Sequence, residues 1–323
     1  MAAWEHEVPE DGGWLTRKLL DRKWLIYRLA DGGYAMLEDR CPHRFVPLSL
    51  GKRNGDQIHC AYHGLGFAPD GRCVHTPFPE EPPGHVRVAS LPVVARHRGL
   101  WFWPGDPAQA DPAAISDFGF LDRDEPMMRG VLRIAGNYEL ITDNLMDLTH
   151  AEFLHVETFG VNGSLFESGR QTVESVATGA IWNKWDMSDA RPPAWAMALV
   201  EPGGRIDQKL HMRWNAPASM ALTIAMAKAG TGEALMPTMV NPHIITPETQ
   251  TSSHYFYDHE PGDEARRMAM QVFTQEDEPM IEAAQAALGD TDFWDARPAI
   301  LKTDAAAIRA RRELMQLRRR EAG

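Results

Sequence analysis

Two histidines and an aspartate in one short apolar run are the residues of this sequence best suited to hold a metal. Asp147, His150 and His155 lie within the run Asn144–His155. Imidazoles in apolar surroundings need a partner, and a divalent cation can satisfy two of them at once. A carboxylate from another part of the chain would complete a two-histidine, one-carboxylate triad, which favours non-haem Fe(II) with open positions for oxygen. In isolation, two unrelated histidines on a helix would be an equally good interpretation.

A second group of ligand-type residues lies nearer the N-terminus. Cys41 and His43 form a Cys-x-His pair, and Cys60 and His63 form a Cys-x-x-His pair. Zinc fingers usually group cysteines with cysteines and histidines with histidines, whereas here the two types alternate. In a Rieske [2Fe–2S] centre two thiolates hold one iron and two imidazoles the other, so each loop must supply one of each. The order favours a [2Fe–2S] cluster, with structural zinc as the alternative.

Composition excludes several classes of protein. A length of 323 residues, with 44% hydrophobic and 24% charged residues, predicts a globular chain of two domains. The net charge of −12 argues against nucleic acid as a partner. We expect a cytoplasmic protein, since the N-terminus lacks a signal-peptide pattern and no run is long enough to span a membrane. The three cysteines, an odd number, point away from a disulfide framework.

Secondary-structure signals divide the chain into a β-rich part and a mixed part. The runs Trp24–Leu29 and Tyr34–Leu37 flank Asp31–Gly33, a pattern typical of a hairpin. The Pro-bearing segment Asp106–Pro112 has linker character. We therefore predict an α+β protein, with an all-β domain over residues 1–118 and a second domain over 119–323.

The positions of the two histidines conflict with a regular helix. The run around His150 and His155 is rich in helix-forming residues. Five residues rotate a helix by about 500°, which leaves the two imidazoles about 140° apart. Both can reach one metal only if the helix is interrupted, and we predict a π-bulge between them, a feature common at functional sites.

The order of the motifs resembles a known family. Cys-x-His and Cys-x-x-His, followed about a hundred residues on by Asn-x-x-Asp-x-x-His-x-x-x-x-His, is similar to the oxygenase subunits of Rieske non-haem iron oxygenases. The resemblance covers nearly the whole chain. It implies that His150 and His155 bind mononuclear Fe(II), that Asp147 links this site to Rieske His63 of a neighbouring subunit, and that Asn144 lies near the iron. It also implies a homotrimer and a catalytic domain in which helices pack on a curved antiparallel sheet, as in helix-grip folds.

The third iron ligand must come from a distant carboxylate. Glu276 and Asp277 lie in a segment that resembles the Glu-Asp-x-x-x-x-Glu-Ala pattern of vanillate O-demethylase-like oxygenases. The resemblance favours Asp277 over Glu276. Acidic residues at the start of a helix are also expected simply to complement its dipole, so this alternative stays open.

A substrate pocket is expected between the ligands. Asn215 and His243 are polar residues in β-type runs and could orient a carboxylate or phenol, although each could equally be an ordinary core or turn residue. Five methionines are concentrated in the same region and could pack on an aromatic ring or simply fill the core: Met212, Met220, Met226, Met236 and Met239.

The vanillate and dicamba O-demethylases are the subgroup that the chain resembles most. The resemblance implies a terminal oxygenase that removes the methyl group of a methoxylated aromatic acid as formaldehyde. Hydroxylation of a methyl or ring carbon, or N-demethylation, remains an alternative, and a non-catalytic Rieske electron carrier is a further one. No NAD or flavin motif is present, so electrons must come from a separate NAD(P)H-dependent flavin/iron–sulfur reductase or a ferredoxin.

Overall fold

The protein folds as two compact units. The structure is a computed structural model and describes residues 1–79, 81–82, 84–161 and 163–322. The first unit comprises Met1–Arg123 with Glu248–Gln250, and the second comprises Asp124–Pro247 with Thr251–Gly323. Within the described residues, no helix is both long enough and apolar enough to cross a membrane.

The first unit is built from short strands. Its three sheets have the orders β1-β10-β9, β2-β3-β4 and β5-β6-β7-β8. The strands are β1 (Ala3–Trp4), β2 (Leu15–Leu19), β3 (Arg22–Arg28), β4 (Tyr34–Glu38), β5 (Lys52–Asn54), β6 (Gln57–His59), β7 (Gly66–Phe67), β8 (Cys73–His75), β9 (Val93–Arg96) and β10 (Gly99–Phe102). The all-β prediction for this part of the chain is confirmed.

The predicted hairpin is present in this unit. Strands β3 and β4 pair antiparallel, with Arg28 opposite Tyr34. Asp31 closes the turn, since its Oδ1 accepts a hydrogen bond from Gly33 N at 2.8 Å. Alternate residues of the two strands are buried in different clusters: Leu25 and Leu37 belong to the one that also contains the two motif cysteines. The hairpin therefore supports the ligand loops.

The second unit is organised on a seven-stranded antiparallel sheet of order β11-β17-β16-β15-β14-β13-β12. Its strands are β11 (Met128–Ile134), β12 (Gly169–Ser175), β13 (Ile181–Ala190), β14 (Ile206–Asn215), β15 (Ser219–Lys228), β16 (Met239–Thr249) and β17 (Ser252–His259). Every second residue of β14, from Ile206 to Trp214, is buried. This alternation defines a core face, and the intervening residues point away from it.

Helices provide the remaining elements of the second unit. They are α1 (Tyr138–Met146), α2 (Ala151–Leu154), α3 (Ser164–Ser168), α4 (Asp263–Met270), α5 (Glu278–Leu288) and α6 (Ala305–Ala322). A π-helical segment, Gln271–Asp277, joins α4 to α5 without a break. Residues of α1, α3, α5 and α6 share one hydrophobic cluster with the core face of the sheet. The mixed α+β class predicted from the sequence is confirmed.

Candidate functional site

The two histidines are placed by a break in the helix rather than by a π-bulge, so that prediction is wrong. Helix α1 ends at Met146, and Asp147 takes an extended conformation, with φ −102° and ψ 100°. A 3-10 turn, Leu148–His150, then leads into α2, and His155 follows directly after that helix. The break has a local cause: Asp147 Oδ1 accepts hydrogen bonds from Thr149 N at 2.9 Å and from its Oγ1 at 2.6 Å, which caps the new turn.

The break brings three donor atoms together. His150 Nε2 and His155 Nε2 lie 3.2 Å apart. Asp277 Oδ1 lies 3.5 Å from the first and 3.4 Å from the second. Of the described residues, only this trio groups three or more His, Cys, Asp or Glu side chains in a metal-binding arrangement. The point equidistant from the three atoms lies roughly 2 Å from each, which is the length of a metal–imidazole bond.

The hydrogen bonds on the far sides of the rings show what the near sides can bind. His150 Nδ1 donates to the main-chain carbonyl of Asp147, and His155 Nδ1 donates to Glu276 Oε2 at 2.7 Å. With Nδ1 carrying the proton, each ring in its neutral form turns a lone pair on Nε2 towards the other ring and towards Asp277. Three electron-pair donors with no hydrogen between them require a cation, so these residues fit a divalent metal.

The pKa values of the two histidines are shifted in opposite directions. Burial lowers the pKa of His150, and the neighbouring His155 adds to the effect, despite the opposing charge of Asp277. Burial also opposes a charge on His155, but hydrogen bonds and charges from Asp277 and Glu276 outweigh it and raise the pKa of that ring. Without a metal, a proton on His155 is thus the natural substitute for the cation, and metal binding must displace it.

The carboxylates come from the middle of a helix, not from its start as the sequence predicted. Glu276 and Asp277 end the π-helical segment within the continuous helical run Asp263–Leu288. Acidic residues favoured by a helix dipole belong to the first turn, so this explanation does not apply to the pair. Asp277 is 7% exposed and faces the Nε2 atoms, whereas Glu276 contacts His155 from the opposite, Nδ1 side.

Two further predicted site residues contact this group. Asn144 Nδ2 donates to Asp277 Oδ1 at 3.2 Å, so Asn144 supports the carboxylate. The carboxylate of Asp147 is bound to Thr149, and it is the main-chain oxygen of Asp147 that His150 contacts. The predicted Asp147 to His150 link therefore runs through the backbone within this chain, because the side chain is used as a cap.

A buried ion-pair network anchors the helix that carries Asn144. Arg311, which is 6% exposed, places its Nε 2.9 Å from both carboxylate oxygens of Asp143 and its Nη1 2.9 Å from Glu139 Oε2. Both acids lie on α1, and the arginine lies on α6. Burial nevertheless raises the pKa of Asp143 to about 6, even though Arg311 opposes the shift. No local pattern in the sequence predicts this network, because its partners lie far apart along the chain.

In the first unit, the two Cys/His loops share one backbone pattern. Cys41 N donates to Val46 O, and Cys60 N donates to Leu65 O, both at 2.9 Å. The residue four positions after each cysteine donates back to that cysteine's carbonyl and has a left-handed backbone: Phe45 with φ 62° and Gly64 with φ 72°. Glycine adopts this conformation readily, whereas phenylalanine does so only where the surroundings impose it.

The side chains of these loops are arranged by type. Both cysteines are buried, and their thiols lie within hydrogen-bonding reach of each other. The rings of His43, which is exposed, and His63, which is half-buried, have centroids 4.5 Å apart. Burial raises the pKa of the Cys41 thiol. Paired thiols inside and paired imidazoles outside fit a [2Fe–2S] cluster with one iron on each pair.

The two residues predicted to bind substrate are not brought together. His243 lies opposite Met220, which lies opposite Trp214, so it is on the core face of the sheet. Asn215 follows Trp214 and lies opposite Ser219, which puts it on the other face. Asn215 is half-buried, and its Oδ1 has no hydrogen-bond partner.

His243 lies among aromatic residues that the sequence analysis missed. Its Nδ1 is hydrogen-bonded to the Tyr255 hydroxyl, and its Nε2 is buried with no partner. Phe273 of the π-helical segment packs edge-on against Tyr255, with ring centroids 5.2 Å apart. Burial lowers the pKa of His243 to about 4, so the ring is neutral at pH 7. The five methionines all belong to, or pack against, the hydrophobic core of this unit.

Comparisons with known proteins agree with this geometry. Residues 1–93 match the Rieske [2Fe-2S] domain family, and residues 134–320 match the Vanillate O-demethylase oxygenase C-terminal domain family. The chain is 37% identical to a dicamba O-demethylase oxygenase component from Stenotrophomonas maltophilia, over 95% of this chain and 94% of the relative. It is 36% identical to a chloroacetanilide N-alkylformylase oxygenase component from Rhizorhabdus wittichii, over 97% and 92%.

A solved structure extends the similarity to the fold. A crystal structure of dicamba monooxygenase bound to dicamba superposes with a TM-score of 0.86 at 34% identity, covering 99% of this chain and 96% of that one. The match spans both units and therefore both groups of ligand residues. The chain belongs to the Rieske non-haem iron oxygenases, as an oxygenase component that uses a Rieske [2Fe–2S] cluster and a mononuclear iron.

Proposed function

We propose that the chain is the terminal oxygenase of a multicomponent monooxygenase that demethylates a methoxylated aromatic acid. The observation that carries the proposal is the convergence of His150 Nε2, His155 Nε2 and Asp277 Oδ1, 3.2 to 3.5 Å apart. His243 lies in the same unit with a neutral, unpartnered Nε2. The similarity to a dicamba O-demethylase component supports an aryl methyl ether as substrate.

Each residue has a role in this proposal. His150, His155 and Asp277 hold the mononuclear iron, which when bound supplies oxygen activation with electrons from the Rieske cluster. Asn144 donates to Asp277 and keeps its oxygen directed at the two rings. One atom of O₂ enters a methyl C–H bond, while the other leaves as water with two electrons from the reductase and two protons; the resulting hemiacetal collapses to a phenol and formaldehyde. The chain's own part is to fix three ligands and leave the remaining positions open.

Substrate orientation is assigned to His243. A buried donor or acceptor without a partner costs free energy, so a ligand that completes the bond is favoured. If the Tyr255 hydroxyl donates to Nδ1, the Nε2–H of His243 donates to an acceptor such as a carboxylate or ether oxygen. The ring's low pKa keeps it neutral, so it recognises the acceptor by a hydrogen bond rather than by charge. Asn215, on the opposite face, is not assigned a substrate contact.

In the N-terminal domain, for which we keep the boundaries 1–118, we assign Cys41, His43, Cys60 and His63 to the cluster. Residues 119–323 then form the catalytic domain.

A head-to-tail homotrimer would place His63 of one subunit beside Asp147 of the next, and a closed ring gives every iron site such a neighbour. A separate NAD(P)H-dependent flavin/iron–sulfur reductase or ferredoxin would supply electrons. A cytoplasmic location remains a prediction.

Single-turnover formaldehyde release tests the proposal. The chain is purified anaerobically, reduced chemically, and mixed with oxygen and a panel of methoxylated benzoic acids. We expect stoichiometric formaldehyde with the matching phenol, and none from His150→Ala, which lacks one ligand. Glu278→Gln, a charge-removing change two residues after Glu276, serves as a matched control and should react normally. Intact protein that forms no formaldehyde from any member of the panel would refute O-demethylation.

The second candidate is oxidation at another carbon, including N-dealkylation. It is favoured by the 36% identity to a chloroacetanilide N-alkylformylase component, which is nearly as high as the identity to the O-demethylase. The same single-turnover assay with N-alkylated anilides and methylated aromatics distinguishes it. An aldehyde with a secondary amide, or a hydroxylated ring or methyl product, would replace the O-demethylase assignment and leave the oxygenase chemistry intact.

A further inference from the structure

Two consecutive acidic residues contact opposite nitrogens of one imidazole. Glu276 Oε2 lies 2.7 Å from His155 Nδ1, and Asp277 Oδ1 lies 3.4 Å from His155 Nε2. In a regular α-helix the side chains of consecutive residues point about 100° apart around the helix axis, which makes it difficult for both to contact the same ring. The backbone around Glu276 and Asp277 must therefore be unusual.

The π-helical segment Gln271–Asp277 is that unusual backbone. Widening the helix to i→i+5 hydrogen bonds reduces the angle between neighbouring side chains to about 80°. It also brings positions five residues apart to within about 50°, in place of about 140° in an α-helix. Gln271 and Glu276 are such a pair, and Gln271 Nε2 donates to Glu276 Oε1 at 3.1 Å.

Three donors hold the Glu276 carboxylate in place. Gln271 binds Oε1, while Oε2 accepts from His155 Nδ1 and from Thr158 Oγ1, each at 2.7 Å. Both carboxylate oxygens are thus engaged on the side of His155 that faces away from His150 and Asp277. A carboxylate fixed in this way is unavailable to the cation that the Nε2 atoms face.

We propose that Glu276 is a positioning residue of the iron site and that the π-helical segment exists to provide it. Glu276 fixes His155 with the proton on Nδ1 and the lone pair on Nε2, and its charge makes that imidazole the stronger electron donor of the two. The Nδ1 of His150, by contrast, donates to a neutral main-chain carbonyl, that of Asp147. The proposal rests on the proposed function in one respect, namely that His155 is an iron ligand.

Fe(II) affinity of the Rieske-loaded chain tests the proposal. Glu276→Ala, Glu276→Gln, Asp277→Asn and the control Glu278→Gln are titrated anaerobically with Fe(II) against a competing chelator, and the folded fraction is measured by circular dichroism. The EPR spectrum of the iron after nitric oxide is added gives a second readout, since it reports the ligand field. The oxidised Rieske cluster is diamagnetic and does not interfere.

We expect Glu276→Ala to bind Fe(II) about 10- to 100-fold more weakly, the range found when a histidine ligand loses its hydrogen-bond acceptor. Glu276→Gln should lose less, because the amide oxygen can still accept from Nδ1–H, and its nitric oxide spectrum should shift. Glu278→Gln should match the wild type. Asp277→Asn, which loses a ligand charge, should be the weakest binder.

Three results would overturn the proposal. Wild-type affinity in Glu276→Ala would show that His155 needs no such support, and an affinity loss that follows the folded fraction would show a merely structural role. If Glu276→Gln lost iron as completely as Asp277→Asn, Glu276 would itself be a ligand. In each of these cases the wild-type chain still binds iron; a wild type that binds none at this site would instead remove the proposed function as well.

Discussion

His243 offers a measurable link between burial and pH. The residue is 6% exposed, and burial lowers its pKa from 6.5 to about 4. In the unfolded chain the same ring would titrate near 6.5. Between these two values the unfolded chain binds a proton that the folded chain does not. Stability conferred by the neutral ring is therefore fully present above pH 6.5 and is lost as the pH falls towards 4.

The magnitude follows from the two pKa values. Between pH 7 and pH 4.5, His243 binds a proton in the unfolded chain but not in the folded chain. This difference lowers the free energy of unfolding by about 2.5 kcal/mol. His243→Gln keeps a polar group of similar reach to Tyr255 but does not titrate. We therefore expect the variant to be less stable than the wild type at pH 7. The difference in unfolding free energy should shrink as the pH falls, because only the wild type is destabilised by protonation of His243 in the unfolded chain.

Urea unfolding of both proteins at several pH values, followed by tryptophan fluorescence, measures this difference. Trp214 is fully buried in the same cross-strand row as His243 and reports on the second unit. The gap between wild type and variant should change by about 2.5 kcal/mol from pH 7 to pH 4.5. A gap that stays constant would show that His243 titrates alike in both states, and would remove the basis for treating it as a neutral substrate contact.

Three further substitutions test the site and its support. His150→Ala should keep the visible spectrum of the Rieske cluster and abolish single-turnover product; oxygen-dependent product from this variant would contradict the iron-site assignment. Arg311→Met should lower the unfolding free energy measured in urea by about 3 kcal/mol, because it leaves Asp143 and Glu139 without their buried partner; a loss below about 1 kcal/mol would mean that the network contributes little. Cys60→Ser should lose the cluster's absorption yet still bind Fe(II) in the second unit, and retained absorption would refute its assignment as a ligand.

The residues that the sequence could single out are those with local signals. The Cys/His pairs, and the histidines after Asp147, depend on spacings of a few residues, which the sequence displays directly. The hairpin around Asp31 follows from its turn residues, which are also a local signal, whereas the antiparallel sheet of the second domain was implied by the family resemblance. Asn144 was expected near the metal ligands, and it lies on α1 with its Nδ2 donating to Asp277, whereas His150 and His155 follow after the break in the helix.

Two features of the backbone could not be read from the sequence pattern. A π-bulge was expected beside His150, yet the π-helical segment lies at Gln271–Asp277 and an extended residue breaks the helix instead. A π-bulge and a break in the helix can each change the angle between the two histidine side chains so that both reach one metal. The sequence does not distinguish these two possibilities. That Asn215 and His243 lie on opposite faces of the sheet also could not be read from the sequence: alternation along β14 assigns Asn215 to the outward face, but the face of His243 depends on strand register.

The two iron-site histidines illustrate this division within one site. His150 is oriented by Asp147 O, three residues earlier, so its ring depends on one turn of chain. His155 is oriented by Glu276, 121 residues later, and so depends on the packing of the helical run Asp263–Leu288. A loosening of that run would release His155 and Asp277 together while leaving His150 in place. The stability of the metal site therefore depends on the packing of the segment that carries the two histidines against the helical run that carries Asp277. The hydrogen bond from His155 to Glu276 stabilises this packing.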